Sequence, residues 1–205
     1  IASEGTLAAP LKGRPDDLAY DATTDRFLLT TDEHGVYLLD GKLEKVLRYT
    51  VIDPAFSVDM GRGLPGAAFV DSATIAALAE NKSFVLLRES EKADADRNFR
   101  FFLESFAAFE ELSRGRFATV RARLMYVSAL AYDPERDSFW TVSVPNETQR
   151  QLVVSRFDRR DMTLSEEFIP TLAPESGLAL AGEKRSLAEY RVTGLTFGAG
   201  RLWAL

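Results

Sequence analysis

Short apolar runs broken by polar turns recur along the chain. Leu18-Ala19-Tyr20-Asp21 is followed three residues later by Asp25-Arg26-Phe27, and Leu130-Ala131-Tyr132-Asp133 three residues later by Asp137-Ser138-Phe139, a constant shift of 112 positions. Gly194-Leu195-Thr196-Phe197-Gly198 repeats the pattern, leading through Gly198-Ala199-Gly200 into Leu202-Trp203-Ala204-Leu205. A fainter copy runs from Gly66-Ala67-Ala68-Phe69 to Thr74-Ile75-Ala76-Ala77-Leu78. Apolar run, Asp/Gly/Ser/Pro turn and second apolar run together spell a β-hairpin. Third runs follow at 36–39, 84–87 and 152–157, and fourth ones at 43–49 and 162–168. The predicted unit is four antiparallel strands.

Unit starts fall near residues 18, 67, 130 and 195. Propeller blades repeat at about 40–50 residues, so the longer intervals require insertions, placed at 89–123 and 171–189. Within the first insertion, residues 103–112 have helical spacing and lack Gly and Pro, which predicts a short amphipathic helix. The expected fold is all-β: four-stranded antiparallel sheets repeated as β-propeller blades, three complete and one partial, with this helical insertion. Because propellers close with about four to eight blades, residues 1–205 are expected to be a single propeller-like domain and a fragment of a longer chain.

Charge and composition narrow the functions. The chain is 205 residues long with net charge -6, which disfavours nucleic acid and anionic lipid where basic residues are not clustered. Cysteine is absent, which excludes disulfides, thiolate metal sites and thiol nucleophiles. No run approaches the ~18 apolar residues of a membrane helix, so no direct membrane insertion is expected of this chain.

Ser128-Ala129-Leu130-Ala131-Tyr132-Asp133 with Ser138-Phe139-Trp140-Thr141-Val142-Ser143, and Thr193-Gly194-Leu195-Thr196-Phe197 with Arg201-Leu202-Trp203-Ala204-Leu205, resemble blades of the esterase-like phytases and related NHL-like six-bladed propellers. The resemblance implies a calcium-assisted hydrolase of phosphate esters or lactones, with acidic residues ending the second strands. Thr31-Asp32-Glu33 follows that pattern, whereas Ala79-Glu80-Asn81 and Ser143-Val144-Pro145-Asn146 depart from it.

Alternating strands send the second-to-third-strand turns and the unit-to-unit connections to one face. There the sequence places Arg14, Asp16, Asp17, Asp32, Glu33, His34, Asp59, Glu80, Asn81, Tyr126, Asn146, Glu147 and Arg191. Asp17, Asp32, Glu33, Glu80, Asn146 and Arg191 are the candidate ligand-binding residues. Asp17 and Asp32, with neighbouring carboxylates, are the candidate metal ligands, and calcium is the ion such oxygens suit; otherwise no cofactor is expected. Asp32-Glu33-His34-Gly35 equally describes a solvated turn with Gly35 at positive φ. His34 is the sole histidine, which gives neither a zinc site nor a triad. Gly61-Arg62-Gly63-Leu64-Pro65-Gly66 lacks the Lys-Ser/Thr of a phosphate-binding loop. Trp140 and Trp203 occupy matching strand positions, where core packing between blades is expected.

Two readings stand. The residues favour a non-catalytic ligand- or protein-binding propeller module of a bacterial envelope protein, periplasmic or extracellular, whose partner is a protein or small molecule. Phe102 and Phe106, in the phenylalanine-rich insertion, are its candidate partner-binding residues. The alternative is the calcium-assisted hydrolase.

Overall fold

The computed structural model describes residues 11–52, 63–90, 109–144, 151–170 and 192–204. These residues form fourteen strands and, among them, no helix. The first sheet contains β1 (Pro15–Asp21), β2 (Arg26–Thr31), β3 (Gly35–Asp40) and β4 (Val46–Val51). The second contains β5 (Gly66–Phe69), β6 (Thr74–Leu78), β7 (Ser83–Glu89) and β8 (Phe109–Arg116). The third contains β9 (Tyr126–Asp133), β10 (Ser138–Val144), β11 (Val154–Asp158) and β12 (Leu164–Phe168), and a last hairpin pairs β13 (Leu195–Gly198) with β14 (Arg201–Ala204). Every sheet is an antiparallel meander in chain order, so three complete units and one partial unit are present as expected.

The expected helix is corrected where it can be seen: residues 109–112 belong to β8, and 103–108 lie outside the described residues. β8 pairs with β7 from Glu89↔Phe109 to Ser83↔Arg116. β7 is a buried apolar strand whose backbone amides and carbonyls need partners, and that requirement outweighs the helical spacing of β8's side chains. Phe109 itself sits in the core.

The 112-residue repeat reappears as repeated geometry. Tyr20 lies opposite Phe27 and Tyr132 opposite Phe139, with ring centroids 4.7 Å and 5.4 Å apart. The Tyr20 hydroxyl donates to Asp25 Oδ1 at 3.0 Å, and that of Tyr132 to Asp137 Oδ1 at 2.8 Å. Asp25 and Asp137 hold φ values of 51° and 48°, the left-handed conformation that aspartate tolerates better than most residues. At the head of each hairpin turn, Asp21, Asp71 and Asp133 accept amides two or three residues ahead. This aspartate turn is what makes the repeat visible in the sequence.

The first strands β1, β5, β9 and β13 lie side by side in series, each packed on the next. Between successive sheets run three apolar seams. Leu28, Val36 and Leu38 of the first sheet meet Ile75, Ala77, Val85 and Leu87 of the second. Across the second sheet, Ala76, Leu78, Phe84 and Leu86 point the other way, toward Leu130, Phe139 and Phe157 of the third. Trp140, Val142 and Val154 then face Leu195, Phe197 and Leu202. β6 and β7 are therefore buried on both faces, which is why they read as continuous apolar runs rather than alternating ones. In the second seam Phe84, Phe117 and Phe157 form a stack, with centroids 5.0 Å and 4.2 Å apart.

Polar ties cross the seams as well. Thr30 Oγ1 donates to the Leu64 carbonyl at 2.7 Å, and Ser128 Oγ to the Val192 carbonyl at 2.7 Å. Glu89 bridges Arg26 (2.7 Å) and Arg48 (3.5 Å) from the neighbouring sheet, and all three side chains are only 16–18% exposed. In the turns before β4 and β12, Leu43 and Met162 both hold φ 57° and pack their side chains against the adjoining apolar clusters.

Two expectations about single residues are overturned. Trp203, register-equivalent to the buried Trp140, is 52% exposed, because Trp140 faces the last hairpin whereas no described strand covers Trp203. Its indole N–H donates to the Gly198 carbonyl at 3.2 Å. In the β2–β3 turn the residue at positive φ is His34 (62°), not Gly35. Gly35 is required for space: a Cβ there would stand 2.7 Å from the Tyr37 ring and 2.8 Å from Thr31 Oγ1.

Candidate functional site

Strand alternation brings the β2–β3 and β6–β7 turns and the entries to β1, β5 and β9 to one end of the sheets. At the first unit this end carries Arg14, Asp16, Asp17 and Asp32, with Asp16 and Asp32 against Gly63. A Cβ on Gly63, whose φ is 91°, would overlap the Asp16 carboxylate and lie 3.0 Å from Asp32 Cα. Asp32 Oδ1 accepts the Arg14 amide at 2.6 Å and Oδ2 its Nε at 3.2 Å, while the Asp32 amide returns a bond to the Arg14 carbonyl. The Arg14 amide holds the Asp32 carboxyl below its usual range, aided by the guanidinium.

Asp17 is spent differently. Its Oδ2 accepts the Ala67 amide at 2.8 Å, tying β1 to β5, and its Oδ1 accepts the Leu18 amide at 2.9 Å. Burial between the strands nevertheless raises its pKa to about 7, with the neighbouring Asp16 charge adding to the effect against the two amides. Being raised above the ordinary carboxylate value, Asp17 stabilises the fold fully below about pH 4, and the contribution is lost as pH rises through about 7. Between pH 5 and pH 8 the chain should therefore lose about 2–3 kcal/mol that an Asp17→Asn variant does not lose. Urea midpoints of both proteins at the two pH values check this. Parallel pH profiles would refute it.

The other expected residues that the structure describes make their own contacts. Glu33 is exposed beside Gly13, and His34 is a turn residue whose amide donates to the Thr31 carbonyl and whose carbonyl accepts from Ile52. Desolvation lowers the His34 pKa, and its buried Nε2 makes no hydrogen bond. Glu80 lies in the β6–β7 turn, where its carbonyl accepts the Val127 amide at 2.9 Å. The buried Asn81 closes its own turn on the Ser83 amide. Asp59, Asn146, Glu147 and Arg191, and the partner candidates Phe102 and Phe106, lie outside the described residues. Among the described residues no three His, Asp or Glu side chains are grouped to hold a metal ion. No helix among them is long and apolar enough to cross a membrane.

The same face carries a feature of which the sequence reading placed only Tyr126. Residues 117–125 link β8 to β9, and with Tyr126 at the start of β9 they present Val120, Leu124 and Tyr126 at 77%, 69% and 55% exposure. Beneath them, buried Ala122 and Met125 pack on Val153. Glu167 accepts the amides of Val120 (3.2 Å), Arg121 (2.6 Å) and Ala122 (3.2 Å). Lys82, buried and at φ 73°, donates its Nζ to the carbonyls of Ala122 (2.7 Å) and Arg123 (3.1 Å). Desolvation, reinforced by Arg116, lowers the Lys82 pKa, against the attraction of Glu167. A carboxylate and an ammonium thus fix the turn from below while its apolar side chains face solvent. Assigning residues 89–123 to an insertion had concealed it.

No protein-family model and no curated protein matches the chain. Solved structures do. It is similar to the Neurospora crassa Pan2 WD40 domain, with a TM-score of 0.52 at 11% identity over 94% of this chain and 43% of that one. It is also similar to the Myceliophteria thermophila Cps50 (Swd1) β-propeller domain, with a TM-score of 0.50 at 12% identity over 93% of this chain and 47% of that one. The chain spans less than half the length of either propeller domain. One neighbour is a WD40 domain and the other a β-propeller domain, so the propeller fold is supported but not the phytase- or NHL-like type that the sequence resembled. At these identities the likeness concerns the fold alone: the sheets of this chain are propeller blades.

Proposed function

We propose that the chain is a non-catalytic protein-interaction module that receives a protein partner on the face bearing the β2–β3 and β6–β7 turns. One observation carries this reading: the Asp17, Asp32 and Glu167 carboxylates are spent on the fold's own amides and on Arg14, whereas Val120, Leu124 and Tyr126 present their side chains to solvent from a fixed turn. The hydrolase reading would need Asp17 and Asp32 to hold a calcium ion through the lone pairs those bonds leave, and among the described residues no three His, Asp or Glu side chains are grouped to do so. A WD40 domain among the structural neighbours agrees with a binding role, as an analogy of fold.

The test places a photo-crosslinking amino acid at Glu33, on this face, or at Arg160, at the other end of the sheets, in the natural full-length protein inside its own cells. The expected result is one defined protein adduct from position 33, identified by mass spectrometry and competed by excess unlabelled protein, and no such adduct from position 160. Equal labelling from both ends, or calcium-dependent turnover of phosphate esters or lactones abolished by Asp32→Ala, would remove the proposal.

A further inference from the structure

We propose that the turn between β8 and β9 is the docking surface for an acidic peptide segment of the partner, one that carries aliphatic or aromatic side chains beside its carboxylates. This rests on the interaction-module reading and names the place and chemistry of contact. The apolar part of the surface is Val120, Leu124 and Tyr126, the three most exposed large apolar side chains among the described residues. Arg121 and Arg123 alternate with them and are exposed too.

Charge selects the occupant. The chain carries a net charge of -6, yet here two arginines stand within three positions of one another, and the buried Lys82 ammonium lies directly under the backbone of the same turn. Glu167, which lies beneath the turn, is committed to three of its amides and to the Ser155 hydroxyl at 3.2 Å. A local positive field beside apolar side chains suits carboxylates flanked by apolar residues, which guanidinium groups bind through paired hydrogen bonds. An anionic membrane would meet the same arginines, but three apolar side chains offer a small footprint and the chain's overall negative charge opposes approach to such a surface.

Rigidity is the second argument. Exposed loops with large apolar side chains ordinarily lose conformational freedom on binding, and that loss subtracts from affinity. Here the backbone is already fixed by Glu167 from β12, by Lys82 from the β6–β7 turn, and by Met125 and Ala122 packed on Val153. The surface is therefore held in one shape before any partner arrives, with its anchors drawn from two neighbouring sheets.

Fluorescence anisotropy with short labelled peptides tests this on the full chain. Four probes are compared: Glu/Leu/Phe, Lys/Leu/Phe and Glu/Ser peptides of equal length, and vesicles of phosphatidylserine with phosphatidylcholine. The Glu/Leu/Phe peptide should bind at least about tenfold tighter than the other two peptides, with no vesicle binding. Leu124→Ser and Arg123→Glu should each weaken it by about tenfold or more without moving the thermal midpoint, and only the Arg123 effect should shrink as salt is raised. Equal affinity for the Lys/Leu/Phe peptide, binding to vesicles, or indifference to both substitutions overturns the proposal. If the Glu33 cross-link forms while the peptide preference fails, this surface is wrong and the interaction module stands. If neither is seen, both are wrong.

Discussion

Phe157→Ala is expected to lower the free energy of unfolding by about 3–5 kcal/mol, a large part of what a domain of this size possesses. Phe157 is fully buried, stands opposite Phe139 in the β10–β11 pairing, and stacks on Phe117, which in turn stacks on Phe84. Truncation removes the end of a three-ring column and leaves a cavity between the second and third sheets, which rigid strands on both sides cannot close. Urea unfolding followed by fluorescence measures the loss. If the alanine variant does not fold, Phe157→Leu should still cost about 1–2 kcal/mol. A cost below about 0.5 kcal/mol for both would mean that the column does not hold the sheets together.

The other large effect is expected at Glu89. Removing its side chain with Glu89→Ala leaves Arg26 and Arg48 close together, mostly buried and without their shared carboxylate. Stripping one partner from a buried ion pair costs about 3–5 kcal/mol; with 16–18% of each side chain still in water, about 2–3 kcal/mol is expected here. The loss arises from stranded charge, so it should be partly reversed when Arg26→Met is combined with Glu89→Met. A double-mutant cycle on unfolding free energies reads this directly. Additive costs, or a single-variant cost within the ±0.5 kcal/mol or so of ordinary surface changes, would show that the network contributes nothing to the seam.

The sequence and the structure agree where local chemistry dictates shape. Tyr20 and Tyr132 are legible because a hairpin that turns on an aspartate at positive φ needs the same residues each time, and both copies close the same tyrosine–aspartate bond. β6 and β7 are legible because burial on two faces leaves no polar alternation. β8 was not. Seven of its eight residues are partly or fully exposed, so its pattern answers to solvent rather than to a core, and only the backbone demand of β7 makes it a strand.

The candidate site shows the same division. That Asp17 and Asp32 would share one end of the first sheet followed from strand alternation. That their oxygens would be taken by the Ala67 and Leu18 amides and by Arg14 did not, because those bonds depend on how β1 meets β5 and how residues 63–66 enter the second sheet. The turn at 117–125 was hidden for a related reason. Its order derives from Lys82 and Glu167, some forty positions before it and after it in the chain, and no local pattern records that.

Leu43 and Met162 carry a consequence for how such blades tolerate mutation. Both occupy the left-handed region, where a glycine would relieve backbone strain of about 1–2 kcal/mol, and a survey of backbone angles alone would nominate both for replacement. Yet each closes the bottom of an apolar cluster with its side chain, Leu43 beside Val46 in the first unit and Met162 beside Leu164 in the third. At these turns the plug therefore counts against the hinge: a glycine would ease the bend while withdrawing an apolar side chain from the cluster, so what the backbone gained the packing would lose.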